Sequence, residues 1–275
     1  MTQPLVYVDA PATTPYRYGL FSAAAVVDPA NQREFQAGVE WEPQCVDAPA
    51  PTNAAAASDP NRVPMALPDG TPLVQAGVIR LYAGLTGRSP ARDDLLDRAR
   101  RAIGLVEQQS LEHYVWAGGG GNAAFLAAAT TPILAGSGVT PVSLEEGVGR
   151  LEEHIADRSG VLGVVWAPRW TSGWFAAKQL TRTEGPRLTA PLGNALVFAQ
   201  TTGVGPNAVA PGAGEAWLYA TGPVMVRRSA VYLPKLPEAL DRKDNEVFAV
   251  AERFYTVGWS CTVAAVKVKL PGVPA

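Results

Sequence analysis

RRAIGLVEQQSLEHYVWAGGGGN, residues 100–122, is the stretch on which the reading of this chain turns. It continues a helical pattern that opens at Ser89. Ser89 suits the N-cap, Pro90 the first helical position, and Asp93 and Asp94 the positive N-terminal end. Leu95, Ala99, Ile103, Val106, Ser110 and Tyr114 recur at steps of three and four, which predicts a single buried stripe. The helix then runs to about Trp116, roughly 28 residues and about 40 Å. The four glycines Gly118 to Gly121 end it.

Glycine runs beside helices can cradle phosphate, so nucleotide binding is the first question. A phosphate loop needs a lysine and a hydroxyl directly after its glycines. No lysine lies between Leu111 and Lys178. A dinucleotide fingerprint needs a strand before its glycines and a helix after them. Here the helix comes first, and its negative C-terminal end disfavours phosphate. The run reads as a helix stop followed by a loop.

Working outward, Ser143-Leu-Glu-Glu146 is a capping box, and Leu144, Val148, Leu151 and Ile155 form the apolar face of a second helix. Strands are expected at 161–168, 195–199, 216–233 and 245–270, with a short helix near 171–181 and a glycine-rich loop at 203–214. Towards the N-terminus, residues 1–34 are rich in Pro, Ala and Thr. Leu5 to Val8 suits a strand, and the rest reads as an extended arm with little core of its own. Within residues 35–78, Val39 and Trp41 share one face. The spacer DAPAPTNAAAASDPN follows, and Pro64, Pro68 and Pro72 exclude a helix or a central strand. Two extended arms around a polar tip describe a long projecting hairpin. On this reading, arm and hairpin make their contacts between subunits, and removing residues 1–30 leaves a folded subunit.

The chain has 275 residues, 47% apolar and 17% charged, with a formal net charge of −2. That composition suits a folded core, and the charge balance argues against holding a nucleic acid or a membrane by bulk electrostatics. No uninterrupted apolar run long enough for a membrane span occurs, and the N-terminus lacks the basic and apolar regions of a signal peptide. Cys45 and Cys261 are far apart and read as two reduced thiols in preference to a disulfide.

The search for chemistry yields no catalytic, cofactor-binding or metal-ligating residues. His113 and His154 sit on different helices and read as solvated helix-face side chains. Glu145 and Glu146 belong to the capping box, Glu152 and Glu153 to the helix surface. Gly136-Ser137-Gly138 is a loop rather than a nucleophile elbow. Of Arg227 and Arg228, one is expected to face solvent. Trp166, Trp170 and Trp174 read as core and edge packing rather than as a platform for a sugar or base. A chain with projections and no chemistry points to self-assembly.

The order of elements resembles the major capsid proteins of tailed bacteriophages, the Hong Kong 97-type fold shared with encapsulins. RRAIGLVEQQSLEHYVWAGGGGN resembles that family's spine helix, and SLEEGVGRLEEHIADRSGVLGVVWAPR (143–169) its axial helix and following strand. GPRLTAPLGNALVFAQTTGVGP (185–206) is similar to a stretch ending in "LG-x-P-V", with Asn194-Ala195 where the family has proline. EAWLYATGPVMVRRS (215–229) resembles the strand before the final segment. NEVFAVAERFYTVGWSCTVAAVKVKL (245–270) resembles the closing strand, with Glu252-Arg253 as its acidic–basic pair.

The resemblance implies an α+β fold with an N-terminal arm (1–34) and an E-loop hairpin (35–78). It implies a peripheral domain with the spine helix (79–142), an axial domain (143–232) and a return strand of the peripheral domain (233–275). It implies a non-enzymatic subunit of an icosahedral shell, found in the virion capsid and assembled in the host cytoplasm without a cofactor. Its partners would be its own copies in hexamers and pentamers, with a portal, a separate scaffold, decoration proteins and weakly contacted double-stranded DNA, and no membrane. No scaffolding prefix is expected ahead of the arm, and no crosslinking Lys–Asn pair is assigned. The alternatives are an encapsulin-type compartment, a minor capsid protein of the same fold, or an α/β enzyme with an unrecognised site.

Overall fold

The structure, a computed structural model, describes residues 11–43, 45, 73–87, 94–119, 125–134, 140–234, 240–241 and 246–272. In chain order the elements begin with α1 (Leu20–Ala23), β1 (Ala25–Val27), α2 (Glu34–Ala37), β2 (Val39–Trp41), β3 (Val74–Ala76) and β4 (Val78–Gly87). Next come α3 (Leu95–Ala117), β5 (Val142–Ser143), α4 (Leu144–Ser159), β6 (Val164–Pro168) and α5 (Ser172–Ala177). The rest are β7 (Arg182–Glu184), β8 (Arg187–Thr189), β9 (Ala195–Ala199), β10 (Glu215–Thr221), β11 (Val224–Arg228), β12 (Leu240–Asp241), β13 (Glu246–Trp259) and β14 (Val263–Lys269).

The larger sheet has seven strands in the order β5-β14-β10-β6-β9-β8-β7. Its central strands read as unbroken apolar runs because both faces are covered. Val164, Trp166, Val197, Trp217 and Tyr219 point into one core. Their alternating neighbours Val165, Leu196, Phe198, Leu218 and Val266 point into a second core beneath α4. Helix α4 presents Leu144, Val148, Leu151 and Ile155 to that core, as its spacing predicts. Its capping box is half made: the Ser143 hydroxyl accepts from the Glu146 amide at 3.1 Å, while the Glu146 carboxylate accepts from Arg150.

The second sheet runs β1-β11-β13-β12, with β4 also paired to β13. Helix α3 joins the two sheets. Leu95, Ala99 and Ile103 pack on Ala249 and Ala251 of β13. Leu111, Val115 and Trp116 enter the core shared with the larger sheet. There the Trp116 ring meets Tyr219 edge-on at 4.9 Å, and its Nε1 donates to the Val204 carbonyl at 2.7 Å. Gly118 closes the helix at φ 72°, and its N–H donates to the Tyr114 carbonyl. The helix stop is therefore as expected, while Gly120 and Gly121 lie outside the described residues.

Four expectations need correction. Helix α3 begins at Leu95 with Asp94 as its N-cap; Ser89 and Pro90 lie outside the described residues. Val106 is 40% exposed: after Ile103 the buried row advances by fours through Glu107, Leu111 and Val115. The segments 216–233 and 245–270 are each two strands in two different sheets. Gly222-Pro223 breaks the first, since proline has no N–H for a ladder. The turn at Ser260–Thr262 breaks the second and sends β14 into the larger sheet. Finally, Cys45 and Cys261 are not reduced thiols: they form a disulfide, with 5.6 Å between their Cα atoms.

Burial separates two neighbours on α3. Ile103→Ala should cost about 2–5 kcal/mol, and Val106→Ala less than about 0.5 kcal/mol, by urea unfolding. Equal costs would mean that the helix is rotated from this register.

Candidate functional site: a buried ionic junction under the N-terminal arm

The apolar row of α3 is interrupted by three polar residues, Glu107, Gln108 and Glu112, and all three are buried. A buried carboxylate needs hydrogen-bond donors. Glu112 finds them in the arm and at the end of β9. Its Oε1 accepts from the Leu20 amide at 2.8 Å. Its Oε2 accepts from the Tyr16 hydroxyl at 2.5 Å and the Gln200 amide at 2.7 Å. Gln108 accepts from the Phe21 amide and donates to the Tyr16 carbonyl, both at 3.2 Å. The arm passes so close that a Cβ on Gly19 would lie 2.2 Å from Glu112 Oε1. Burial pushes the Glu112 carboxyl above its ordinary value, outweighing the hydrogen bonds that lower it. Burial, with Glu112 next, also pushes the Tyr16 hydroxyl up, so it remains a donor.

One and a half turns earlier, Glu107 anchors a closed quartet. It accepts from Arg228 at 2.8 Å, Arg253 at 3.1 Å and the Tyr255 hydroxyl at 2.7 Å. Asp28 of the arm accepts from the same two arginines, at 2.6 Å from Arg228 and in close contact with Arg253. Two positive and two negative charges therefore balance at the point where arm, helix and sheet meet. Arg227 pairs separately with Glu34. Both members of the arginine pair are engaged, contrary to the expectation that one faces solvent.

The root of the 35–78 segment docks nearby. β2 pairs antiparallel with β3, Val39 opposite Ala76 and Trp41 opposite Val74. Trp41 Nε1 donates to Ser260 Oγ at 2.9 Å. Its ring covers Gly258, where a Cβ would lie 2.4 Å from Trp41 Cη2.

Structural comparison places this geometry. The capsid of a native GTA particle superposes with a TM-score of 0.58 at 12% identity, covering 98% of this chain and 95% of that one. A structure from Microbacterium phage Oxtober96 gives 0.55 at 12%, over 97% and 95%. The capsid of Ralstonia phage GP4 gives 0.51 at 11%, over 99% and 97%. This is the Hong Kong 97-type capsid fold. No family model and no curated protein matches the chain.

Within this capsid fold, the arm is the main revision to the sequence reading. Leu20 and Ala24 belong to the chain's own core, and β1 pairs in parallel with β11. Removing residues 1–30 would strip Tyr16, Leu20 and Asp28 from these contacts, so a folded truncated subunit is no longer expected. Leu5 to Val8 lie outside the described residues.

The other residues singled out in the sequence scatter. His113 is exposed. His154 is half-buried, 2.7 Å from Thr262 Oγ1, and burial lowers its pKa. Glu152 is buried rather than on the surface, accepting from the Leu192 amide and from Asn194 Nδ2. Trp166 is core and donates to Thr221; Trp170 is exposed and packs edge-on against Trp174. Among the described residues no cluster of three His, Cys, Asp or Glu is arranged to hold a metal ion, and no helix is long and apolar enough to cross a membrane.

The junction makes a signed prediction. A folded Glu112 that holds its proton more tightly than the unfolded chain adds stability as pH falls from its folded value towards the ordinary 4.5. It loses that contribution as pH rises back through the window. Glu34 and Glu145, whose values are lowered by Arg227 and Lys178, slope the other way, but they are common to both proteins. The stability of wild type minus that of Glu112→Gln should therefore increase between pH 7 and pH 5, measured by urea unfolding across the range. A difference that shrinks on acidification contradicts the burial-dominated assignment.

Proposed function

We propose that the chain is a structural subunit that self-assembles into the icosahedral capsid shell of a tailed bacteriophage and is not an enzyme. The observation that supports this best is coverage. The capsid fold takes in 98% of this chain and 95% of the GTA capsid chain, so little of either is left for another task.

The proposal extends to organisation and partners. The second sheet with α3 corresponds to a peripheral unit, and the larger sheet with α4 and α5 to an axial unit. The chain crosses between them at Gly222-Pro223 and returns at Ser260–Thr262, so β11 joins the first and β14 the second. This moves two strands across the boundaries expected from sequence. Residues 1–34 lead in as an arm that is anchored from Tyr16 onward, and residues 35–78 form the hairpin. Copies of the chain are the principal partners, in hexamers and pentamers. A portal, a separate scaffold and decoration proteins are further partners, and packaged double-stranded DNA meets a lining of low net charge. Assembly takes place in the host cytoplasm and the product is the virion capsid.

Negative-stain imaging of the purified protein should show uniform closed shells of icosahedral outline. A population of monomers and small oligomers across salt and concentration would contradict the proposal and favour the enzyme alternative.

A further inference from the structure

Cys45 and Leu73 are the described residues on either side of residues 46–72, and with the β2–β3 pair they are here called the root. This root is held by two kinds of bond. The first is non-covalent: the short β2–β3 pairing, the Trp41–Ser260 hydrogen bond and the Trp41 ring over Gly258. A two-stranded ribbon of three residues per strand is marginal alone. The second is the Cys45–Cys261 bond, which ties this root to the turn between β13 and β14. The chain has two cysteines in all. They are 216 residues apart in sequence, yet both lie here.

Three further observations bear on what the pair does. Cys261 stands at φ 74°, a left-handed conformation that favours glycine. A position whose backbone disfavours any side chain is nevertheless occupied by a thiol. Both cysteines are partly exposed. Cys261 also lines an open groove with Trp41, Glu42, Pro223 and Met225.

We infer that Cys45 and Cys261 are a reversible redox-modification site that clamps this root to the turn between β13 and β14: a dithiol in a reducing compartment and a disulfide after reaction with a small-molecule disulfide of the glutathione type. The timing rests on the proposed function, in which the subunit is made inside a host cell and the shell is later carried outside it. One cysteine thiolate attacks a sulfur of the small disulfide, forming a mixed disulfide and expelling one small thiolate. The second cysteine thiolate attacks the protein sulfur of that mixed disulfide, closing Cys45–Cys261 and expelling the other. The protein loses two protons and two electrons, and the oxidant is reduced to two thiols. The Trp41 contacts hold the root in register in the dithiol form, and oxidation makes that register covalent within one subunit.

The full-length protein is reduced, then equilibrated against graded ratios of glutathione and glutathione disulfide, alkylated and digested with trypsin without reductant. The peptides Glu34–Arg62 and Phe254–Lys267 should appear joined at oxidising ratios and separately alkylated at reducing ones. Closing a loop this long should raise the apparent Tm of the oxidised form by on the order of 5 °C over the reduced form. Cys261→Ser should melt like reduced wild type and ignore the ratio. Peptides that stay separate at every ratio, Cys45 joined to a cysteine of another copy, or a wild-type Tm that ignores the ratio would each overturn the inference. These readouts come from the subunit alone. Failure to form shells would count against the proposed function, and failure to form this bond against the clamp.

Discussion

Glu112 has no exposed surface, and every oxygen it carries is used to hold a different part of the chain. Its partners come from the arm at Tyr16 and Leu20 and from the end of β9 at Gln200. A lone buried carboxylate is costly, so its presence in the middle of an apolar row constrains everything around it. Two backbone amides and a phenol must converge there, and the chain must pass without a side chain at Gly19. The arm is fixed because the helix requires it.

The same logic extends along α3. Glu107 is satisfied only if Arg228 of β11 and Arg253 and Tyr255 of β13 reach it, and those arginines are balanced only if Asp28 of the arm joins them. Breaking such a set by removing one member typically costs about 3–5 kcal/mol, because the remaining charge stays buried. The long helix is therefore a spine in the energetic sense as well. Its apolar residues weld the two sheets, and its polar residues bring in the arm from the other end of the sequence.

Much of this was legible in the sequence. α4, with its cap and its apolar face, β9, and the end of α3 at Gly118 follow from spacing and residue type alone. The order of motifs was sufficient to suggest the capsid fold. The junction was harder to see. A row of Leu95, Ala99 and Ile103 continued by fours reaches Glu107, Leu111 and Val115, and a carboxylate in such a row is the signature of a buried, paired charge. The spacing through Val106 and Tyr114 hid it. Partners such as Asp28 and Arg253 are far apart in sequence, and no local pattern joins them. Alternation in residues 245–270 likewise gives strand character without telling which sheet each half enters. The cysteine pairing could not be chosen over two thiols from spacing, because it depends on where β2 and the residues after it dock.

The central claim is that the arm belongs to the chain's own core. Hydrogen–deuterium exchange of the full-length chain, held dilute enough to be monomeric, tests it most directly. Leu20, Phe21 and Gln200 donate their amides to α3 side chains. The account predicts that these amides are protected in the isolated chain about as well as those of the helix itself. Exchange at free-peptide rates in the isolated chain would contradict it.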